Sequence, residues 1–89
     1  MNIQHLKNAG EVARQYSSGG TNVLVIVDRD FIRIETSILT KGHVLNESRR
    51  VLYAHLDQSK HDYLTDQVHD AVSALRRMIR KIDGEQDAF

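Results

Sequence analysis

Asn22-Val-Leu-Val-Ile-Val-Asp-Arg-Asp-Phe-Ile-Arg-Ile-Glu-Thr36 is the stretch on which the fold of this chain turns. Residues 23–27 are apolar without a break. Alternation follows, with Ile32, Ile34 and Ile38 separated by Arg33, Glu35 and Ser37. An unbroken apolar run beside an alternating one describes a sheet covered on one face, with a partly apolar second face still to be accounted for. If Arg29-Asp30 forms the loop, Val27 lies opposite Ile32, Val25 opposite Ile34 and Val23 opposite Thr36, and all six share a core face. Leu24, Ile26 and Phe31 then fall on the other face with Arg33 and Glu35, because neighbouring strand residues point to opposite sides. These five residues are the first candidate partner-binding group. They point to association rather than to chemistry.

Outward from that hairpin, Thr40-Lys-Gly-His43 reads as a second turn, where Gly42 can take positive φ. Residues 44–56 admit two readings, a third strand or a short helix capped by Asn46. The tight turn favours an antiparallel return, with Val51-Leu-Tyr53 pairing back towards Ile32, so the strand is preferred. A regular two-residue loop places Arg49 on the core face, and a bulge is expected to move it. Upstream, Ile3, Leu6, Ala9, Val12, Ala13 and Tyr16 recur at helical spacing behind Asn2 as cap, and Ser17-Ser-Gly-Gly20 ends that helix. Gly10 inside it costs about 1 kcal/mol relative to alanine. Downstream, Leu64, Val68, Ala71, Val72, Leu75, Ile79 and Ile82 form an unbroken helical stripe. Ser59 is its expected N-cap, Asp62 its capping-box acid and Gly84 its stop. The pattern predicts one α+β domain over residues 1–84, ordered α-β-β-β-α, with both helices on one face of a small antiparallel three-stranded meander. Residues 85–89 read as a flexible tail.

Composition narrows the function. Eighty-nine residues make one domain, and a chain of this size buries roughly 60–65% of its unfolded surface, so oligomerisation is a common remedy for thin stability. Twelve basic and twelve acidic residues cancel, which leaves no global field to draw the protein to nucleic acid or membrane. With no cysteine there is no disulfide framework or thiolate metal site. The first residues lack a signal peptide's apolar core, and no apolar run spans a bilayer, so a cytoplasmic location is expected.

Each pattern that resembles chemistry has a plainer explanation. Val-Ile-Val-Asp28-Arg-Asp30 resembles the start of a phosphotransferase nucleophile motif, in which one carboxylate attacks phosphorus and a second acts as acid or base. The α/β domain that would carry it does not fit, and two acids are ordinary in a hairpin turn. The Gly19-Gly20 pair lacks the Lys-Ser/Thr of a phosphate loop. Five histidines (His5, His43, His55, His61, His69) are many, but His61 and His69 stand two turns apart, too distant for one ion. No serine sits in a nucleophile elbow. No catalytic residue, cofactor or metal site is therefore assigned. Arg76, Arg77, Arg80 and Lys81 crowd the end of the last helix, while Asp62, Asp66 and Asp70 crowd its start. This polarity complements the helix dipole. The same four residues, joined by Arg49 and Arg50, form a second candidate partner-binding group.

The helix–strand–strand–strand–helix order is similar to that of double-stranded-RNA-binding domains, although their Gly-Pro-x-His turn and Lys-Lys-x-Ala-Lys helix start are absent. In size, lack of cysteine and single sheet, the chain also resembles small phage- or mobile-element-encoded inhibitors, anti-CRISPR proteins among them. That resemblance implies a non-catalytic protein-binding regulator or inhibitor, as a homodimer or with a protein partner. The alternative is a nucleic-acid-binding accessory protein using the basic end of the last helix.

Overall fold

The computed structural model describes residues 2–58 and 60–87, with side chains as far as Gly84. Helix α1 (Ile3–Tyr16) leads into strands β1 (Thr21–Val27), β2 (Phe31–Thr40) and β3 (His43–Leu52), followed by a short helix α2 (Tyr53–Gln58) and a long one, α3 (Tyr63–Asp87). The strands form one antiparallel sheet in the order β1-β2-β3. This is the expected α+β meander, with α2 added between the third strand and the last helix.

The hairpin register is the one that period-two patterning requires. Val23 pairs with Thr36, Val25 with Ile34 and Val27 with Ile32, around an Arg29-Asp30 loop. The loop closes with the Asp28 amide donating to the Phe31 carbonyl at 3.0 Å. In the second hairpin Thr40 pairs with His43, so Lys41-Gly42 alone makes the turn. Both take positive φ, +48° and +77°, as a right-twisted two-residue hairpin demands.

The β2–β3 ladder then runs without interruption from Thr40↔His43 to Phe31↔Leu52, and the expected bulge does not form. Arg49 stays on the core face opposite Ile34. It is tolerated there because β3 is an edge strand: the Arg49 Nε donates to Glu47 Oε1 at 2.8 Å, and Nη1 reaches Gln67 Oε1 on α3 at 3.5 Å. A paired guanidinium at a sheet edge keeps part of its hydration and needs no rearranged backbone. The strand reading of residues 44–56 holds as far as Leu52; a helix capped by Asn46 does not form, since Asn46 pairs with Ser37 inside β3, and Tyr53 opens α2 instead of extending the strand.

Both long helices cover the face bearing Val23, Ile32, Ile34 and Val51. α1 packs on β1 and α3, and α3 packs on β2 and β3. Ala9 and Ala13 are buried where α1 meets its neighbours, small side chains that let the helix approach closely, and Leu64, Val68, Ala71, Val72 and Leu75 fill the centre from α3. Leu56 brings α2 to the same core. Coverage thins along β1: Val25 is half-buried and Val27 exposed, although both share the core face.

The caps differ in part from expectation. Asn2 caps α1 by accepting from the Gln4 amide at 2.8 Å. At its other end the Ser17 hydroxyl donates to the Ala13 carbonyl and accepts from the Val23 amide, tying α1 to β1. Helix α3 is capped by Asp62, whose carboxylate accepts from the Thr65 amide at 3.1 Å and the Thr65 hydroxyl at 2.8 Å. Asp62 is thus the cap itself rather than the acid of a capping box, and Ser59 lies outside the described residues. α3 also runs through Gly84 to Asp87, so glycine does not close it. The expected tail falls on that last turn as far as Asp87, and Ala88 and Phe89 lie outside the described residues.

Candidate functional site

The face of the sheet turned away from the helices carries the first predicted group together. Leu24 and Ile26 stand on β1, and Phe31, Arg33 and Glu35 on β2. The three apolar residues are not equally bare. Leu24 is 45% exposed, whereas Ile26 and Phe31 are half-buried, Phe31 beneath the Arg50 guanidinium at 4.9 Å from the ring centroid. The register adds residues that the sequence reading did not place here. Leu52 stands opposite Phe31, and Leu39 opposite Val44. They are 49%, 63% and 63% exposed. Their signal was period-two spacing continued past the alternating core of β2, legible only once the β2–β3 register was known. No helix of the described residues covers this face, since α2, the one element that could have done so, packs on the core side through Leu56.

The polar groups between these apolar ends are arranged by charge. Arg33 and Arg50 lie directly opposite each other, an unfavourable cross-strand pair taken alone. Their charges are drawn apart. Arg33 Nε is 3.1 Å from Glu35 Oε1, an ion pair without a hydrogen bond, and Arg33 Nη1 is 4.0 Å from Asp28 Oδ2. Arg50 instead lies over Phe31, where the ring face attracts a cation. Beside the Glu35 row lies a shallow hollow of about 410 Å³, bordered by Asn22, Leu24, Glu35, Ser37, Asn46 and Ser48.

The second predicted group does not join the first. Arg76, Arg77, Arg80 and Lys81 are exposed on α3, in the layer across the sheet. Arg76 and Arg80 stand one turn apart, as do Arg77 and Lys81, but the pairs are offset by about 100° around the helix. Arg76 lies over the Tyr16 ring at 5.4 Å, at the rim of a smaller cavity of about 240 Å³ floored by Ile38, Val72, Leu75 and Ile79. Arg49 and Arg50 point to opposite faces of β3, so they do not extend one basic patch.

Several of the chemistry-like residues make contacts that join elements of the fold. The Asp28 carbonyl accepts from the Tyr53 hydroxyl at 2.6 Å, which pins the start of α2 to the first hairpin loop. His69 Nδ1 shares a 2.7 Å hydrogen bond with the Tyr16 hydroxyl, and His61 pairs with Asp66. Among the described residues no group of three or more His, Cys, Asp or Glu converges on a metal-sized site. The surroundings of the Asp62 carboxyl shift its titration. Burial pushes it up, but hydrogen bonds from the Thr65 hydroxyl and amide and the Asn8 side chain, with His5 nearby, outweigh this and hold it below the ordinary value. Hydrogen bonds from the first turn of α3 favour the charged carboxylate in this way. No described helix is long and apolar enough to cross a membrane. Compared with models of known families, with curated proteins and with solved structures, the chain shows no match.

Proposed function

We propose that this chain is a small non-catalytic protein-binding module, a regulator or inhibitor that works through the open face of its sheet. One observation carries the reading: Leu24, Leu39, Val44 and Leu52 are each close to half exposed or more on a single face, while both long helices pack on the other. Scattered apolar residues on a surface are ordinary, but four on one sheet face with a charged centre match the composition of a binding patch. The charges favour specificity over raw affinity, because a partner must answer Arg33, Arg50 and Glu35 in register.

The test is affinity capture from cells of the native host with wild type, Leu24→Asp and Leu52→Asp, read by mass spectrometry. The expected result is a protein enriched by wild type and lost with both variants, each of which keeps the wild-type circular dichroism spectrum. Capture that survives both substitutions, and is abolished instead by Arg76→Glu/Arg80→Glu, moves the binding surface to α3.

A further inference from the structure

The open face has an internal order that names its occupant; this step rests on the reading of that face as an interface. The two registers divide it into five cross-strand rows. Phe31 and Leu52 form the first, Ile26, Arg33 and Arg50 the second, and Leu24, Glu35 and Ser48 the third. Asn22, Ser37 and Asn46 form the fourth, and Leu39 and Val44 the fifth. The outer rows are apolar, the second carries the two longest cations, and the fourth carries only short polar side chains. The hollow of about 410 Å³ lies over that fourth row, with Glu35 at its border.

A two-fold axis lying between two such faces, across the strands and over the third row, exchanges the first row with the fifth and the second with the fourth. Phe31 and Leu52 of one copy then lie over Leu39 and Val44 of the other. Arg33 and Arg50 lie over the hollow floored by Ser37 and Asn46, beside the other copy's Glu35. In the outer rows apolar meets apolar, and the arginines of the second row meet the short side chains of the fourth; on the axis the two Glu35 carboxylates face each other, bracketed by the four guanidinium groups. Two sheets packed face to face stand ~10 Å apart, a gap that an arginine side chain spans and a serine does not. An axis along the strands would instead lay each row near its own copy and crowd four guanidinium groups together, so charge selects the first arrangement. We propose that the open face is the contact between two copies of this chain, packed sheet on sheet as a self-complementary dimer.

Sedimentation equilibrium at about 50 µM, where a micromolar dissociation constant leaves most chains paired, tests the proposal on wild type, Ser37→Tyr and Asn46→Tyr. Each variant fills the hollow with a good strand former and leaves the core face untouched, so the circular dichroism spectrum should not change. The expected result is a wild-type dimer whose dissociation constant rises about tenfold or more in either variant. Glu35→Arg should also weaken the dimer, since it gathers six guanidinium groups at its centre, and Arg33→Glu added to it should restore pairing by returning the wild-type balance of charge there. A wild type that remains monomeric overturns the proposal, as does a dimer indifferent to both tyrosines. If that monomer still captures a host protein through Leu24 and Leu52, the dimer alone fails and the binding module stands.

Discussion

Ile34 and Glu35 are neighbours in β2, yet they belong to two different surfaces. On the covered face, Ile34 is fully buried between Val25 and Arg49 and under α3, and every residue nearby is judged by how well it fits. On the open face, Glu35 lies between Leu24 and Ser48 with nothing above it, and its neighbours are judged by what they offer to another molecule. The contrast is sharpest for arginine. Arg49, facing the helices, is satisfied within the chain by Glu47 and Gln67, whereas Arg50, one residue on, is exposed on the open face and rests over Phe31. One strand therefore separates stability from recognition by a single step of its pleat.

Substitutions on the two faces should therefore have opposite readouts. The largest effect is expected from Ile34→Ala, which removes fully buried methyl groups and leaves a cavity, at about 2–5 kcal/mol. Leu24→Ala, on the adjacent strand but the other face, should change the stability of the isolated chain by under ~0.5 kcal/mol and act on association instead. Urea denaturation below and above the association range checks both. Comparable losses for the two would erase the distinction between the faces.

A smaller effect is expected at the point where the covered face carries charge. Arg49→Ala leaves the half-buried Glu47 without its guanidinium and should cost about 1–2 kcal/mol. Replacing both residues by leucine should be close to neutral or stabilising, because an apolar pair avoids the desolvation that the ion pair only offsets. Thermal denaturation of the single and double variants decides it. A double variant as damaged as the single one would mean that the pair is needed for more than mutual neutralisation.

The smallest effect concerns the helical layer. Asp62→Ala removes the α3 cap and should cost about 1 kcal/mol. The pH dependence has a definite sign. Asp62 titrates below its ordinary value of 3.8 in the folded chain, so its contribution is full above that pH and is lost as pH falls through the folded value. The gap between wild type and Asp62→Ala should therefore close in acid, as followed by urea denaturation from pH 6 to pH 2. Association should be unaffected at neutral pH, since the cap lies on the side away from the open face.

Much of this was legible in the order of residues. The β1–β2 register follows from period two and a two-residue loop, and the α3 stripe from a helical repeat seven apolar residues long. The open-face group of Leu24, Ile26, Phe31, Arg33 and Glu35 follows from the same alternation. Leu39, Val44, Leu52 and Arg50 did not, because placing them needs the β2–β3 register, and Arg49 seemed an obstacle to a regular one. The cap at Asp62 was shifted for a similar reason: several residues before a helix can accept from its first amides, and the choice among them depends on where α2 ends and where Asn8 of α1 can reach Asp62.

By itself the sequence determined strands, helices, turns and the division of each strand into two faces, because backbone sterics and hydrophobic periodicity act between residues close along the chain. Only the tertiary structure decided that Gln67 on α3 helps to accommodate Arg49 on the core face, and that the helix after β3 turns inward through Leu56 and leaves the other face open. Those outcomes depend on contacts between residues far apart in the chain, whose strength rests on burial and on partners that no local pattern specifies.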